Sequence, residues 1–232
     1  FMEIEKQRGI SVATSVMAFE YADRMVNILD TPGHKDSAED TFRTLSAVDS
    51  AIVVIDAAKG VEEQTEKLVQ VCRMRKIPII VFINKLDREG LDSFDLLDEI
   101  EVKLGLKVTP LTWAIGKGQS FKGVYNLFKS NINLFNPHGK QDIEEVIEIR
   151  ENETEKFTKH IGVHATKELL HDLNVIREIY DSLDLQTYLK GDISPVFFGS
   201  AVNNFGVKEL LDCFVDFAPN PLPRDAEERT VN

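Results

Sequence analysis

Apolar runs of strand length alternate with amphipathic stretches along most of this chain. Ala51 to Ile55, closing on Asp56, and Ile77 to Ile83 are unbroken apolar runs. Between them, Glu62 to Met74 sets Leu68, Val71 and Cys72 on one helical face, with Glu62 and Glu63 in the first turn where acids suit the helix dipole. The same alternation predicts a helix over Phe94 to Leu104 and a strand over Val108 to Ile115. Near the end come a strand over Pro195 to Gly199 and, from Val207, a helix that turns Leu210, Leu211, Phe214 and Val215 inward. Upstream, Val12 to Phe19 and Met25 to Leu29 read as a hairpin around Ala22-Asp23-Arg24, and Ser37 to Leu45 reads as a helix.

Strands that are apolar on both faces and separated by helices predict an α/β fold, a mostly parallel sheet with helices on both sides. After Ile115 the rhythm changes. Short extended pieces, Gly123 to Phe128 and Ile143 to Ile149, lie among turn residues, and then Ala165, Leu169, Leu173, Ile176 and Tyr180 recur at helical spacing. This predicts a small α+β insert. The expected division is a first part of the main domain over 1–115, the insert over 116–190, and the last strand and helix over 191–219. The segment 220–232, opening on Asn220-Pro221-Leu222-Pro223, is expected to be a linker to a further domain.

Composition narrows the function classes. Of 232 residues, 43% are hydrophobic and 28% charged, as in an ordinary globular protein. A net charge of −12 argues against a surface that coats nucleic acid and leaves room only for local contact with it. Cys72 and Cys213 are too few for a disulfide framework and read as buried free thiols. No apolar run approaches the roughly 20 residues that span a bilayer, and no signal peptide is visible, so a cytoplasmic location is expected.

The candidate chemistry sits where strands end, which is where open parallel sheets place their ligands. Asp30-Thr31-Pro32-Gly33-His34 follows the second strand. An aspartate leaving a strand can hold Mg²⁺, a hard cation that takes oxygen ligands, and Gly33 lets a backbone N–H approach a phosphate oxygen. Asn84-Lys85-Leu86-Asp87 follows the buried strand Ile77 to Ile83. The Asp87 carboxylate suits guanine, because it can accept from the ring N1–H and the exocyclic amine together, a donor pair that adenine lacks. Asn84 can join the base-binding loops, and the stem of Lys85 can cover the nucleoside face. Gly199-Ser200-Ala201 follows the last strand, where small residues let a backbone N–H reach a base oxygen. Ser11 offers a hydroxyl to Mg²⁺ when a triphosphate is present. Each group alone is an ordinary turn; together they predict a guanine-nucleotide site. His160, His164 and His171 complete no zinc pattern and read as surface or capping residues.

Several runs carry a family resemblance: Met2 to Val12, Asp30 to His34, Asn84 to Asp87, Phe121 to Tyr125, Pro195 to Ala201 and Asn204 to Val207. They resemble the translational GTPases over essentially the whole chain, and within them the branch that acts in translation termination, which has serine where Ser11 stands. The resemblance implies a P-loop GTPase-like domain that binds GTP and GDP with Mg²⁺ and works on the ribosome. It implies that Ser11 and Asp30 serve Mg²⁺, that Gly33 senses the γ-phosphate, and that His34 positions the attacking water beside ribosomal RNA. Its implied partners are the ribosome and the stop-codon-reading release factors that such a protein removes. Lys6, Arg8 and Lys35 are the positive charges beside the site. Two other readings stay open: an elongation factor G-like or ribosome-protection GTPase, and a non-hydrolysing interaction module.

One departure stands out. The phosphate-cradling Gly-x-x-x-x-Gly-Lys-Ser/Thr loop is absent; near Gly116-Lys117-Gly118 and Gly139-Lys140, Leu111 and Leu134 stand where its first glycine would be. The chain is therefore expected to be a fragment whose true start lies upstream of Phe1, one that binds nucleotide poorly and hydrolyses it hardly at all.

Overall fold

The structure, a computed structural model, describes residues 15–31, 44–45, 47–136 and 145–219. Ser11, Pro32, Gly33 and His34, the Ser37 to Leu45 helix apart from its last two positions, Lys6, Arg8, Lys35 and the segment 220–232 lie outside them.

The described chain opens with a hairpin. β1 (Ser15–Tyr21) pairs antiparallel with β2 (Arg24–Asp30), from Ser15 opposite Asp30 to Tyr21 opposite Arg24. Ala22 and Asp23 turn it with φ of 48° and 58°, a left-handed pair that matches the twist of the strands. Then come β3 (Ala51–Asp56), helix α1 (Glu63–Met74), β4 (Ile79–Asn84) and helix α2 (Ser93–Leu104). Asp92 caps α2, its side chain accepting from Phe94 N–H at 2.9 Å. Gly105 ends the helix at φ 61°, where an added Cβ would meet the Arg73 guanidinium.

The main sheet is parallel, in the order β3, β4, β10 (Ser194–Phe198), β5 (Val108–Pro110). Its two faces account for the unbroken apolar strands. From β4, Ile79, Val81 and Ile83 point into a core with Val69 and Cys72 of α1 and Leu97 and Ile100 of α2. Ile80 and Phe82 point the other way, against Phe197, Tyr188 of helix α5 (Leu185–Leu189), and Leu210 and Cys213 of helix α6 (Val207–Phe217). A strand covered on both sides has no polar face to show.

The stretch Val108 to Ile115 is two strands rather than one. β5 ends at Pro110, Leu111 donates its N–H to Val196 O at 2.9 Å, and the chain crosses into β6 (Thr112–Ile115) of a second sheet. That sheet is antiparallel: β6, β7 (Gly123–Asn126), β8 (Asn131–Leu134), β9 (Glu145–Glu148). Helices α3 (Thr154–Ile161) and α4 (Val163–Ile179) cover it, burying Phe157, Ile161, Leu169, Leu173 and Ile176 in the same core that lines α1 and α2. Trp113 is fully enclosed there, against Phe94 and Phe198, with its indole N–H on Asp172 Oδ2 at 2.9 Å. Burial pushes the Asp172 carboxyl above its ordinary value, although the indole bond works against that shift. Among the described residues no helix is long and apolar enough to cross a membrane.

A buried polar pair ties the second sheet to α6. Asn133 Nδ2 of β8 donates to Glu209 Oε1 at 2.8 Å, while Asn133 Oδ1 and Glu209 Oε2 have no partner among the described residues. Two buried acceptors without donors cost stability, and a carboxamide at position 209 would supply the missing N–H. Glu209→Gln is therefore expected to stabilise the chain by roughly 1 kcal/mol or more, read as a higher midpoint in urea unfolding. A lower midpoint would show that the carboxylate is satisfied in another way.

Candidate functional site

Three strand ends meet at the carboxyl edge of the parallel sheet. Asp56 ends β3, Asn84 ends β4 in register with it, and Gly199 follows β10, whose last residue Phe198 pairs with Ile83. The backbone ladder continues past the strands: Ala57 N–H donates to Asn84 O at 2.9 Å, Gly199 N–H to Ile83 O at 2.9 Å and Leu86 N–H to Gly199 O at 3.2 Å. Gly199 has no room for a side chain, because a Cβ would collide with Phe205 O and lie 2.7 Å from Phe82 Cζ. The two loops touch backbone to backbone.

Side chains complete the junction. Asn84 Oδ1 accepts from Lys85 N–H and from Ala201 N–H, both at 2.8 Å, and so bridges the loop after β4 to the loop after β10. Ser200, fully buried, donates its hydroxyl to Asp87 Oδ1 at 2.5 Å. Lys85 is left-handed, φ 69°, a conformation that costs a non-glycine residue about a kcal/mol or more. The Asn84 bond holds its backbone, and its ammonium is held by Asp56 Oδ2 at 2.7 Å. Leu86 is buried in the main core and accepts from Gly118 N–H at 3.0 Å, which joins this loop to the short turn Gly118–Ser120.

Asn84, Lys85, Leu86, Asp87, Ser200 and Ala201 are thus one contiguous cluster. Asp30 and Thr31 stand at the end of β2, in the separate hairpin sheet, with Asp30 exposed as a residue. The Ala201 and Ser200 N–H groups point to Asn84 Oδ1 and to Phe205 O, at 2.8 and 2.9 Å. A ligand carbonyl takes the Ala201 N–H only by exchange with the Asn84 carboxamide. His160 lies on α3 and His164 and His171 on α4, the helices that cover the second sheet; His164 is exposed, with Nε2 3.4 Å from Glu168. Among the described residues no group of three or more His, Cys, Asp or Glu could hold a metal ion. Cys72 and Cys213 are free and buried, and burial pushes their thiols up to about 11 and about 12.

Two members of the cluster went unnoticed in the sequence. Asp56 holds Lys85, and its signal was available: an aspartate that closes an apolar strand, as Asp30 does. Asn203 donates from Nδ2 to Ser200 Oγ at 2.8 Å, and nothing in the sequence marks it.

Burial raises the Asp56 carboxyl, but the hydrogen bond and charge of Lys85, with the Ala58 and Lys59 N–H groups, outweigh it and hold the group below its ordinary value of 3.8. A depressed carboxyl contributes stability that is complete above its unfolded value and is lost as pH falls through the lower folded one. Stability should therefore fall more steeply between pH 4 and pH 2 in the parent than in Asp56→Asn, in urea titrations at each pH; identical slopes would contradict the assignment. Asn84→Ala should cost roughly 1 kcal/mol by removing its bonds to two N–H donors, and Asn84→Asp should recover most of it, since a carboxylate oxygen accepts both. Equal losses in the two variants would show that the bridge is not what the side chain supplies.

The fold is similar to a crystal structure of a protein from Thermus thermophilus, with a TM-score of 0.72, 23% identity, and coverage of 94% of this chain and 34% of that one. The chain spans about a third of that protein's length, and at this identity the likeness concerns the fold. The model of the elongation factor Tu GTP binding domain matches residues 1–220, nearly the whole chain. The chain belongs to the elongation factor Tu GTP-binding domain family, the G domains of translational GTPases.

Proposed function

We propose that this G domain belongs to a cytoplasmic peptide chain release factor 3, a GTP-hydrolysing protein that removes stop-codon-reading release factors from the ribosome after peptide release. The observation that carries the nucleotide part is the Asp87 carboxylate, fixed by Ser200 beside the Asn84 bridge at the end of a parallel sheet. Support for the termination role comes from the sequence, where Pro195 to Ala201, Asn204 to Val207 and the serine at position 11 follow that branch.

In this reading Asp87 accepts from N1–H and the exocyclic amine of guanine. One of its oxygens already takes the Ser200 hydroxyl, which orients the carboxylate before the base arrives. Lys85, anchored to Asp56, lays its stem along the nucleoside, and Asn84 holds the two base loops at a fixed spacing. Asp30 fits a Mg²⁺ site as a hard-oxygen donor at a strand end. Ser11 is the second donor in this reading. Mg²⁺ bound there supplies positive charge to the phosphate oxygens. His34 holds the attacking water, and Gly33 offers its backbone N–H to the γ-phosphate. In the same reading, loss of that phosphate releases the segments around Ser11 and His34, a common switching device.

The test uses the full-length product of the source gene. It should bind GTP and GDP in calorimetry, and Asp87→Asn should weaken GTP by on the order of a hundredfold while gaining xanthosine triphosphate, because a carboxamide donates where the carboxylate accepted. It should also speed departure of a stop-codon-reading factor from ribosomes that have released their peptide. Promotion of tRNA translocation instead would place it with elongation factor G. Failure to bind either guanine nucleotide would leave an interaction module.

A further inference from the structure

We infer that Asn203 is a positioning residue for base recognition: its carboxamide fixes the direction of the Ser200 hydroxyl and, through it, the orientation of the Asp87 carboxylate. This inference rests on the guanine reading of the site above.

Donor counting leads to it. The Ser200 hydroxyl has one hydrogen and two acceptor sites. Asn203 Nδ2 donates into that oxygen at 2.8 Å, so its lone pair is taken and the hydrogen has to leave in another direction. Among the described residues the only other side chain bonded to the hydroxyl is Asp87, at 2.5 Å. Ser200 is fully enclosed, so water cannot redirect it. The result is a one-way chain, Asn203 to Ser200 to Asp87, in which each bond polarises the next and the last one is charge-assisted and short.

Asn203 is itself held. It closes the short 3₁₀ turn Ala201–Asn203, donating its N–H to Ser200 O at 3.1 Å, and the left-handed residue after it, Asn204 at φ 51°, donates to Ala201 O at 3.0 Å. Ser200 and Phe205 then exchange two backbone bonds, at 2.9 and 3.0 Å, which shut the loop. The loop thus carries its own base-orienting group, three residues from the serine that needs it. A carboxylate fixed in this way presents its remaining lone pairs in one direction, which is what discrimination between a base with two adjacent donors and a base with one requires.

The isosteric change separates this role from loop packing. In Asn203→Asp the side chain cannot donate; it accepts the Ser200 hydrogen and draws the hydroxyl away from Asp87. Asn203→Ala only removes the donor. The readout is the ratio of GDP to inosine diphosphate affinity in the full-length protein, since inosine lacks the exocyclic amine. A loop that is merely loosened weakens both ligands equally. Loss of orientation at Asp87 shrinks the ratio.

The ratio is expected to fall roughly threefold to tenfold in Asn203→Ala, and on the order of tenfold or more in Asn203→Asp. Asn203→Gln should fall between the parent and the alanine variant. In a Ser200→Ala background, Asn203→Ala should change the ratio by less than about twofold, because the relay is already cut. Thermal unfolding of each variant with and without GDP checks that the fold is intact, and the alanine variant suffices if the aspartate one does not fold. Unchanged ratios in Asn203→Ala and Asn203→Asp, with the parent preferring GDP, would overturn the relay and leave the guanine reading standing. A parent with no preference for GDP over inosine diphosphate would overturn the guanine reading as well.

Discussion

The parallel pairing of β4 with β3 and β10 is the constraint on which the candidate site depends. Burial of Ile80, Val81 and Ile83 from both sides fixes β4 in the middle of the sheet, and the register then brings Asp56, Asn84 and Gly199 to one edge without further instruction. Side chains finish what the sheet begins. Asn84 bonds the two loops to each other, Lys85 offsets the cost of its left-handed backbone by reaching Asp56, and Ser200 turns Asp87. Most of these bonds join residues far apart in sequence, so the cluster exists only when the sheet does.

The second sheet is not an independent appendage. β6 continues from β5 across Leu111, and Thr112 Oγ1 takes the Phe198 N–H at 2.9 Å, so the last residue of β10 is bonded into both layers. Phe205, in the loop that closes behind Ser200, packs on Phe121 and Phe135 at centroid distances of 5.6 and 5.3 Å. The loop after β10 is therefore braced by residues that flank β7 and β8 of the second sheet. Asp212 makes a third link, accepting from Tyr21 of the hairpin at 2.6 Å and from Lys129, between β7 and β8, at 2.5 Å.

The runs that the core covers on both faces were readable, because nothing but burial on two sides explains Ile79 to Ile83. The break inside Val108 to Ile115 was not, since alternation and β-propensity say that a residue is extended but not which sheet it joins. Strand β8 was hidden for a related reason: Asn131 and Asn133 look like turn residues, yet Asn133 is buried because Glu209 meets it. At the site, residue types announced Asn84 and Asp87, whereas Asp56 and Asn203 owe their roles to partners 29 and 3 positions away that only the fold identifies. The two segments read for Mg²⁺ and water, around Ser11 and His34, lie outside the described residues.

A crystal structure of the full-length protein with GDP tests the central claim most directly. The account predicts the guanine ring against the Lys85 stem, with N1 and the exocyclic amine both within hydrogen-bond distance of Asp87 and the Ser200 hydroxyl still on that carboxylate. A base bound away from Asp87, or an Asp87 side chain turned from Ser200 to reach it, would contradict the account.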